Sequence, residues 1–173
     1  MNILIFNLFF SLSTNSLIAS SSLFLSYTLI YFLILFAIII PVIFRRDFMY
    51  SLLTFLTAGS TWVCVYIIKN IFIVERPFIA LGITPLFLET GFSFPSSHTA
   101  VMAALTVLVW RLNYKLGIIF SIFTIFMGIS RMVIGVHYPL DVLAGACFGV
   151  ILSLVILWFY KRTNQFAFLK KYI

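Results

Sequence analysis

Five apolar stretches constrain this chain more than anything else in it: residues 23–44, 49–68, 114–129 and 139–160, which are long enough or nearly long enough to cross a bilayer, and a shorter one at 99–110. A hydrocarbon core of about 30 Å takes about 20 apolar residues per helix and offers no water to an unpaired backbone group. Helices, which satisfy their own N–H and C=O groups, are the solution open to such segments. The sequence therefore predicts an all-α fold, a polytopic membrane helical bundle of five transmembrane helices in one domain over 1–173, with no room for a soluble one. The composition agrees: 64% of residues are hydrophobic, 9% are charged, and the mean hydropathy is +1.21. A soluble globular domain does not look like this.

Residues 1–22 read differently. Asn7, Ser11, Thr14 and Asn15 recur at helical spacing and draw one polar stripe along an apolar segment, which predicts an N-terminal interfacial helix; a sixth crossing over 3–20 is the alternative. No Lys or Arg precedes this segment and no convincing cleavage site follows it, so it is expected to be retained. Cys64 and Cys147 each sit in an apolar run without a second ligand at metal spacing. They are expected to pack as small hydrophobes, with neither a zinc site nor a disulfide.

A formal charge of +7 would suggest nucleic acid or acidic partners for a soluble chain, but in a membrane protein Lys and Arg first report orientation. Alternating sides over five crossings, Arg45, Arg46, Arg111, Lys115, Lys161, Arg162, Lys170 and Lys171 all fall on one side, which the positive-inside rule makes the cytoplasm, C-terminus included. Lys69, Arg76 and Arg131 are left on the outer side. Both histidines of the chain, His98 and His137, fall there too, with Asp141. Six ionisable groups collected near membrane depth point to a polar cavity rather than to independent snorkelling.

The residue types specify the chemistry. Two Arg and one Lys suit the oxygens of a phosphoryl group, whose transfer is promoted mostly by positioning and fixed charge. An imidazole with a carboxylate one helical turn away is held in one tautomer and made a better nucleophile, which assigns attack to His137 and orientation to Asp141. His98 then protonates the leaving oxygen and later activates water. With only Asp47, Glu75, Glu89 and Asp141 as acids, and Asp47 on the inner side, the chain is too poor in carboxylates for a metal cage. No metal and no cofactor are expected, and Glu75, next to Arg76, is the carboxylate expected to orient a cation.

Three segments, KNIFIVERP from Lys69, PSSH ending at His98, and SRMVIGVHYPLD ending at Asp141, resemble in order and spacing the signature motifs of the type 2 phosphatidic acid phosphatase (PAP2) superfamily. The resemblance covers residues 69–141. It implies a metal-independent lipid phosphatase with His137 as nucleophile and His98 as acid, and with Lys69, Arg76, Arg131, Ser96 and the backbone at Ser97 on the phosphate. One departure stands out: Ser97 occupies the place of the motif's usual Gly, and a positive φ there would be strained for Ser.

Within the superfamily, the short chain and the N-terminal segment most resemble bacterial undecaprenyl-diphosphate phosphatases. That implies hydrolysis of a polyprenyl diphosphate to the monophosphate at the periplasmic or extracellular face of a bacterial cytoplasmic membrane, with a membrane lipid as partner and no nucleic acid or protein partner. The motifs read phosphate and not the tail. Lipid A, phosphatidylglycerophosphate and phosphatidic acid are alternative substrates; a phosphotransferase using the same phosphohistidine and a non-catalytic protein that binds anionic lipid are alternative functions. The stretch 78–94, long for a membrane loop, is read either as a loose connector or as a surface segment bordering the substrate path.

Overall fold

In the computed structural model, residues 2–170 are described; Lys171 of the basic set lies outside them, as do residues 1, 172 and 173. The described residues form helices and connecting loops: α1 (Asn2–Ser11), α2 (Ser16–Arg45), α3 (Phe48–Phe72), the single turn α4 (Pro77–Ala80), α5 (Ser97–Leu112), α6 (Tyr114–Val133) and α7 (Pro139–Lys170). Four of the long segments, α2, α3 with its extension through α4, α6 and α7, have the length and hydropathy to cross a bilayer. The fifth, α5, has 16 residues and is about 24 Å long. It can be short because protein, not lipid, surrounds it. Ala100, Met102, Ala104, Leu105, Leu108 and Val109 are all fully buried, and α3, α6 and α7 pack around the helix that carries them.

Polar caps set the breaks between these apolar helices. The Asn15 side chain accepts from the N–H groups of Leu17 and Ile18 and so starts α2. The cap divides the N-terminal region earlier than residue 22: residues 16–22 are the first turns of α2, and the separate piece ends in a 3₁₀ turn at Leu12–Thr14. No continuous helix runs over 3–20, and the ten residues of α1 reach only about 15 Å, half a hydrocarbon core. Asp47 caps α3 through the Tyr50 N–H. Asn113 caps α6 through Lys115 and Leu116, one residue after α5 ends, which folds α6 back along α5.

Two glycines let α7 lie against α5. A Cβ at Gly145 or Gly149 would collide with the Ser96 or Ala100 carbonyl oxygen, so the small residues at this four-residue spacing allow backbone-to-backbone approach. One turn earlier on α7 comes Asp141, whose carbonyl accepts from the Ser96 N–H at 3.0 Å. The close packing thus joins the second and third sequence motifs. Over the α6–α7 turn lies α1. Its Phe6 is fully buried with its ring 5.6 Å from that of Tyr138, its Phe10 covers Gly135 (φ 90°), and Asn2 accepts from the Leu140 N–H. The segment with the polar stripe is therefore a roof on the turn that carries His137.

Candidate active site

Four chain segments converge where α3 ends, α5 begins, α6 ends and α7 begins. Lys69, in the last turn of α3, donates from Nζ to the carbonyls of Phe92 and Ser93 at 2.8 and 3.0 Å. Arg76 donates from Nε to the Gly91 carbonyl (3.0 Å), from Nη2 to that of Thr90 (3.1 Å) and from Nη1 to that of Val136 (3.2 Å). Irregular backbone at this depth lacks partners of its own, and these two cations supply them. The 78–94 stretch is accordingly fixed to the site: Ser93 N–H reaches the Val74 carbonyl at 2.7 Å and Leu86 N–H that of Ile134 at 3.0 Å.

His137 is buried, and its Nδ1 faces inward to two partners. The Asp141 Oδ2 is 3.6 Å away, too far for a hydrogen bond, and the Ser93 hydroxyl bridges the gap, 3.3 Å from Nδ1 and donating to Oδ2 at 2.5 Å. The Tyr138 N–H also donates to Oδ2, at 2.8 Å. A chain from Nδ1–H through Ser93 to the carboxylate assigns the tautomer and leaves Nε2 as the lone-pair nitrogen. Burial first, then the positive charges of Lys69, Arg131 and Arg76, hold the imidazole well below its ordinary pKa and favour its neutral form.

Glu89 stands between the arginines. Its Oε2 lies 2.8 Å from Arg76 Nη1, its Oε1 pairs with Arg131 Nη2, and the Tyr27 hydroxyl donates to Oε1 at 2.6 Å. Burial raises the Glu89 pKa, but Arg131, the Tyr27 hydrogen bond and Arg76 outweigh it and bring the group down to about 2. Tyr27 also places its ring under Arg131, 5.3 Å from the guanidinium carbon. It gets there from a π-helical turn of α2, Leu25–Leu29, which also sets Ser26 against Ser130 at 2.8 Å. Arg131 itself is fully buried, and its Nε and Nη1 have no hydrogen-bond partner. Buried donors on a cation call for an anion.

Two cavities meet here. One, about 420 Å³, is of mixed character, with Lys69, Asn70, Arg76, Thr90 and Ser97 among aromatic side chains; the other, about 140 Å³, is mainly apolar and runs past His98 between Ile30, Ile34 and Val101. Trp62 and Ser97 line both, so the two cavities are adjacent.

All eight residues singled out in the sequence come to this end of the bundle, with differences in detail. Ser97 opens α5 in ordinary helical backbone; among the described residues only Arg46 and Ile73 are non-glycines with positive φ, so the Gly-to-Ser departure carries no strain. The Ser96 hydroxyl turns to Thr99 at 3.1 Å, while the first amides of α5 remain directed at the cavity end of the helix. The carboxylate that orients the cations is that of Glu89, not Glu75, because the loop folds back over Arg76. Sequence reasoning missed Tyr27 and Ser93 altogether. For Glu89 a signal existed: it is one of only four acids and lies between the first and second motifs.

The sequence model of the PAP2 superfamily matches residues 47–165. A bacitracin transport permease protein BcrC of Bacillus licheniformis is 41% identical over 70 residues, 40% of this chain and 34% of that protein. An undecaprenyl-diphosphatase BcrC of Bacillus subtilis is 31% identical over 103 residues, 59% of this chain and 53% of that one. The chain thus spans a third to a half of the length of these relatives. The crystal structure of Aquifex aeolicus LpxE superimposes with a TM-score of 0.73 at 25% identity, covering 90% of this chain and 94% of that one.

Proposed function

The chain belongs to the PAP2 superfamily, and from that premise we propose that it hydrolyses a lipid phosphate through a phosphohistidine, with a polyprenyl diphosphate as substrate and the monophosphate as product. The observation that carries the reading is the buried Arg131 with two unpartnered nitrogens beside a neutral His137. The terminal phosphate binds Arg131, Lys69 and the amides at the start of α5. His137 Nε2 forms a bond to phosphorus as the bond to the leaving oxygen breaks, and His98 gives that oxygen its proton. Water then attacks phosphorus, His98 takes a proton from it, and the N–P bond breaks. Fixed cations supply the charge stabilisation, so no metal takes part. The tail leads away past His98 into the apolar cavity, which puts the leaving oxygen on the acid's side.

The undecaprenyl-diphosphatase relative supports the diphosphate reading. Lipid A, phosphatidylglycerophosphate and phosphatidic acid are the other substrates such a site could take, because its polar contacts are all to phosphate. A transport role, as in the name of the Bacillus licheniformis relative, gives the Ser93–His137–Asp141 chain nothing to do. Purified protein should release phosphate from polyprenyl diphosphate in mixed micelles with EDTA present. A preference of tenfold or more in kcat/KM for phosphatidic acid or a lipid A phosphate, about 1.4 kcal/mol at the transition state, defeats the diphosphate assignment.

We place the site on the outer face of a bacterial cytoplasmic membrane, since Arg45, Arg46, Arg111 and Lys115 lie at the opposite ends of the helices. A cysteine introduced at Arg111 should be labelled from the cytoplasm and one at Thr90 from outside. The reverse pattern turns the site to the cytoplasm.

A further inference from the structure

We infer that Glu89 is a built-in phosphate stand-in, a carboxylate that Tyr27 holds on Arg76 and Arg131 and that the substrate's phosphate must displace. The inference rests on the phosphatase reading of the site and adds a specificity-determining pair to it. Arg76 has three of its nitrogens engaged by loop carbonyls, and the face it turns to Arg131 is taken by Glu89. Lys69 has given two of its three N–H groups to Phe92 and Ser93. Arg131 keeps Nε and Nη1 free while its Nη2 holds Glu89. Two arginines bridged by one planar anion make a phosphate cradle already filled.

A phosphate cannot simply be added beside that carboxylate. Two anions sharing buried guanidinium groups repel strongly at low dielectric. Glu89 is able to leave: it sits in the non-helical stretch before Ser93, flanked by the exposed Leu88, and not on one of the long helices. Tyr27 holds the resting position through its hydroxyl and comes from α2, outside residues 47–165 that the superfamily model matches. While empty, the cradle keeps its cations paired. When phosphate arrives, the carboxylate swings out and Arg76 and Arg131 close on the new anion; when inorganic phosphate is the product, the returning carboxylate helps to expel it.

Competition of this kind lowers apparent affinity by the fraction of molecules in which the cradle is free. A carboxylate present in about nine molecules of ten weakens phosphate binding about tenfold. The test is a phosphorus-31 NMR titration of inorganic phosphate against the detergent-solubilised full chain. Glu89→Gln should bind phosphate at least about fivefold more tightly than the unmodified protein, and Tyr27→Phe, which removes one hydroxyl and leaves the ring on Arg131, should fall between the two. Should Glu89→Gln fold poorly, Tyr27→Phe alone carries the same expected direction. Unchanged or weaker binding in the variants overturns the inference and makes Glu89 a permanent brace for Arg131. Binding in none of the three proteins overturns the phosphate site with it.

Discussion

Replacing His137 with alanine should stop phosphate release, by on the order of 10⁴-fold or more, and leave no phosphoenzyme to trap. The magnitude is that of losing a nucleophile that forms a covalent intermediate, since water at the same position has neither the imidazole's nucleophilicity nor its placement. The fold should survive, because the turn is held by bonds that do not need the ring: Ser96 N–H to the Asp141 carbonyl, Tyr138 N–H to its carboxylate, and Phe6 against Tyr138. The unmodified protein should carry a second mark of the same group. Attack requires the neutral imidazole, and its pKa is depressed by burial and by Lys69, Arg131 and Arg76, so the neutral form persists as pH falls below the ordinary value of about 6.5. The acid limb of kcat/KM should therefore have its midpoint below about 6.5. A midpoint at or above that value, or appreciable turnover in the alanine variant, removes His137 from the role.

The gathering of Lys69, Arg76, His98, Arg131, His137 and Asp141 at one end of the bundle is legible in the sequence because membrane thickness does the geometry. A residue placed between two spanning runs must emerge at a known end, so six residues scattered over 73 positions of chain are brought to one face without any knowledge of packing. The residues that escaped are those whose placement depends on rotation or on loop path. Tyr27 lies within an apolar run with no neighbouring signal to mark it; the π-helical turn at Leu25–Leu29 carries it onto Arg131. Ser93 and Glu89 belong to a stretch without periodicity, and its course is dictated by carbonyls that seek Lys69 and Arg76, a tertiary effect. The end of the N-terminal segment was misplaced for a local reason. A single Asn15 side chain, counted in the polar stripe, is instead the cap that begins α2.

Replacing His98 should separate the two halves of the proposed reaction. In His98→Ala, a substrate that leaves as an alkoxide needs the missing proton, so hydrolysis of an alkyl phosphomonoester such as phosphatidic acid should fall by about 10²–10⁴-fold, with the loss in the first step and His137 unmodified. A prenyl diphosphate leaves as a phosphate monoester, whose oxygen bears its charge without full protonation, so its first step should lose much less. Both substrates then give the same phosphohistidine, and water attack on it lacks its base. The variant should therefore accumulate phosphoenzyme from the diphosphate and hardly any from the monoester. Label in the terminal phosphate, an alkaline quench that preserves the N–P bond, and a stoichiometric burst ahead of slow turnover would display the difference. The position of the residue supports this division: His98 lines the apolar cavity, while Ser93, Asp141 and the positive charges of Lys69, Arg131 and Arg76 bear on the His137 imidazole. Equal losses on both substrates with no trapped label would place His98 in binding and return the proton to another donor; full activity in the variant would leave the leaving group unaided and sink the two-histidine mechanism.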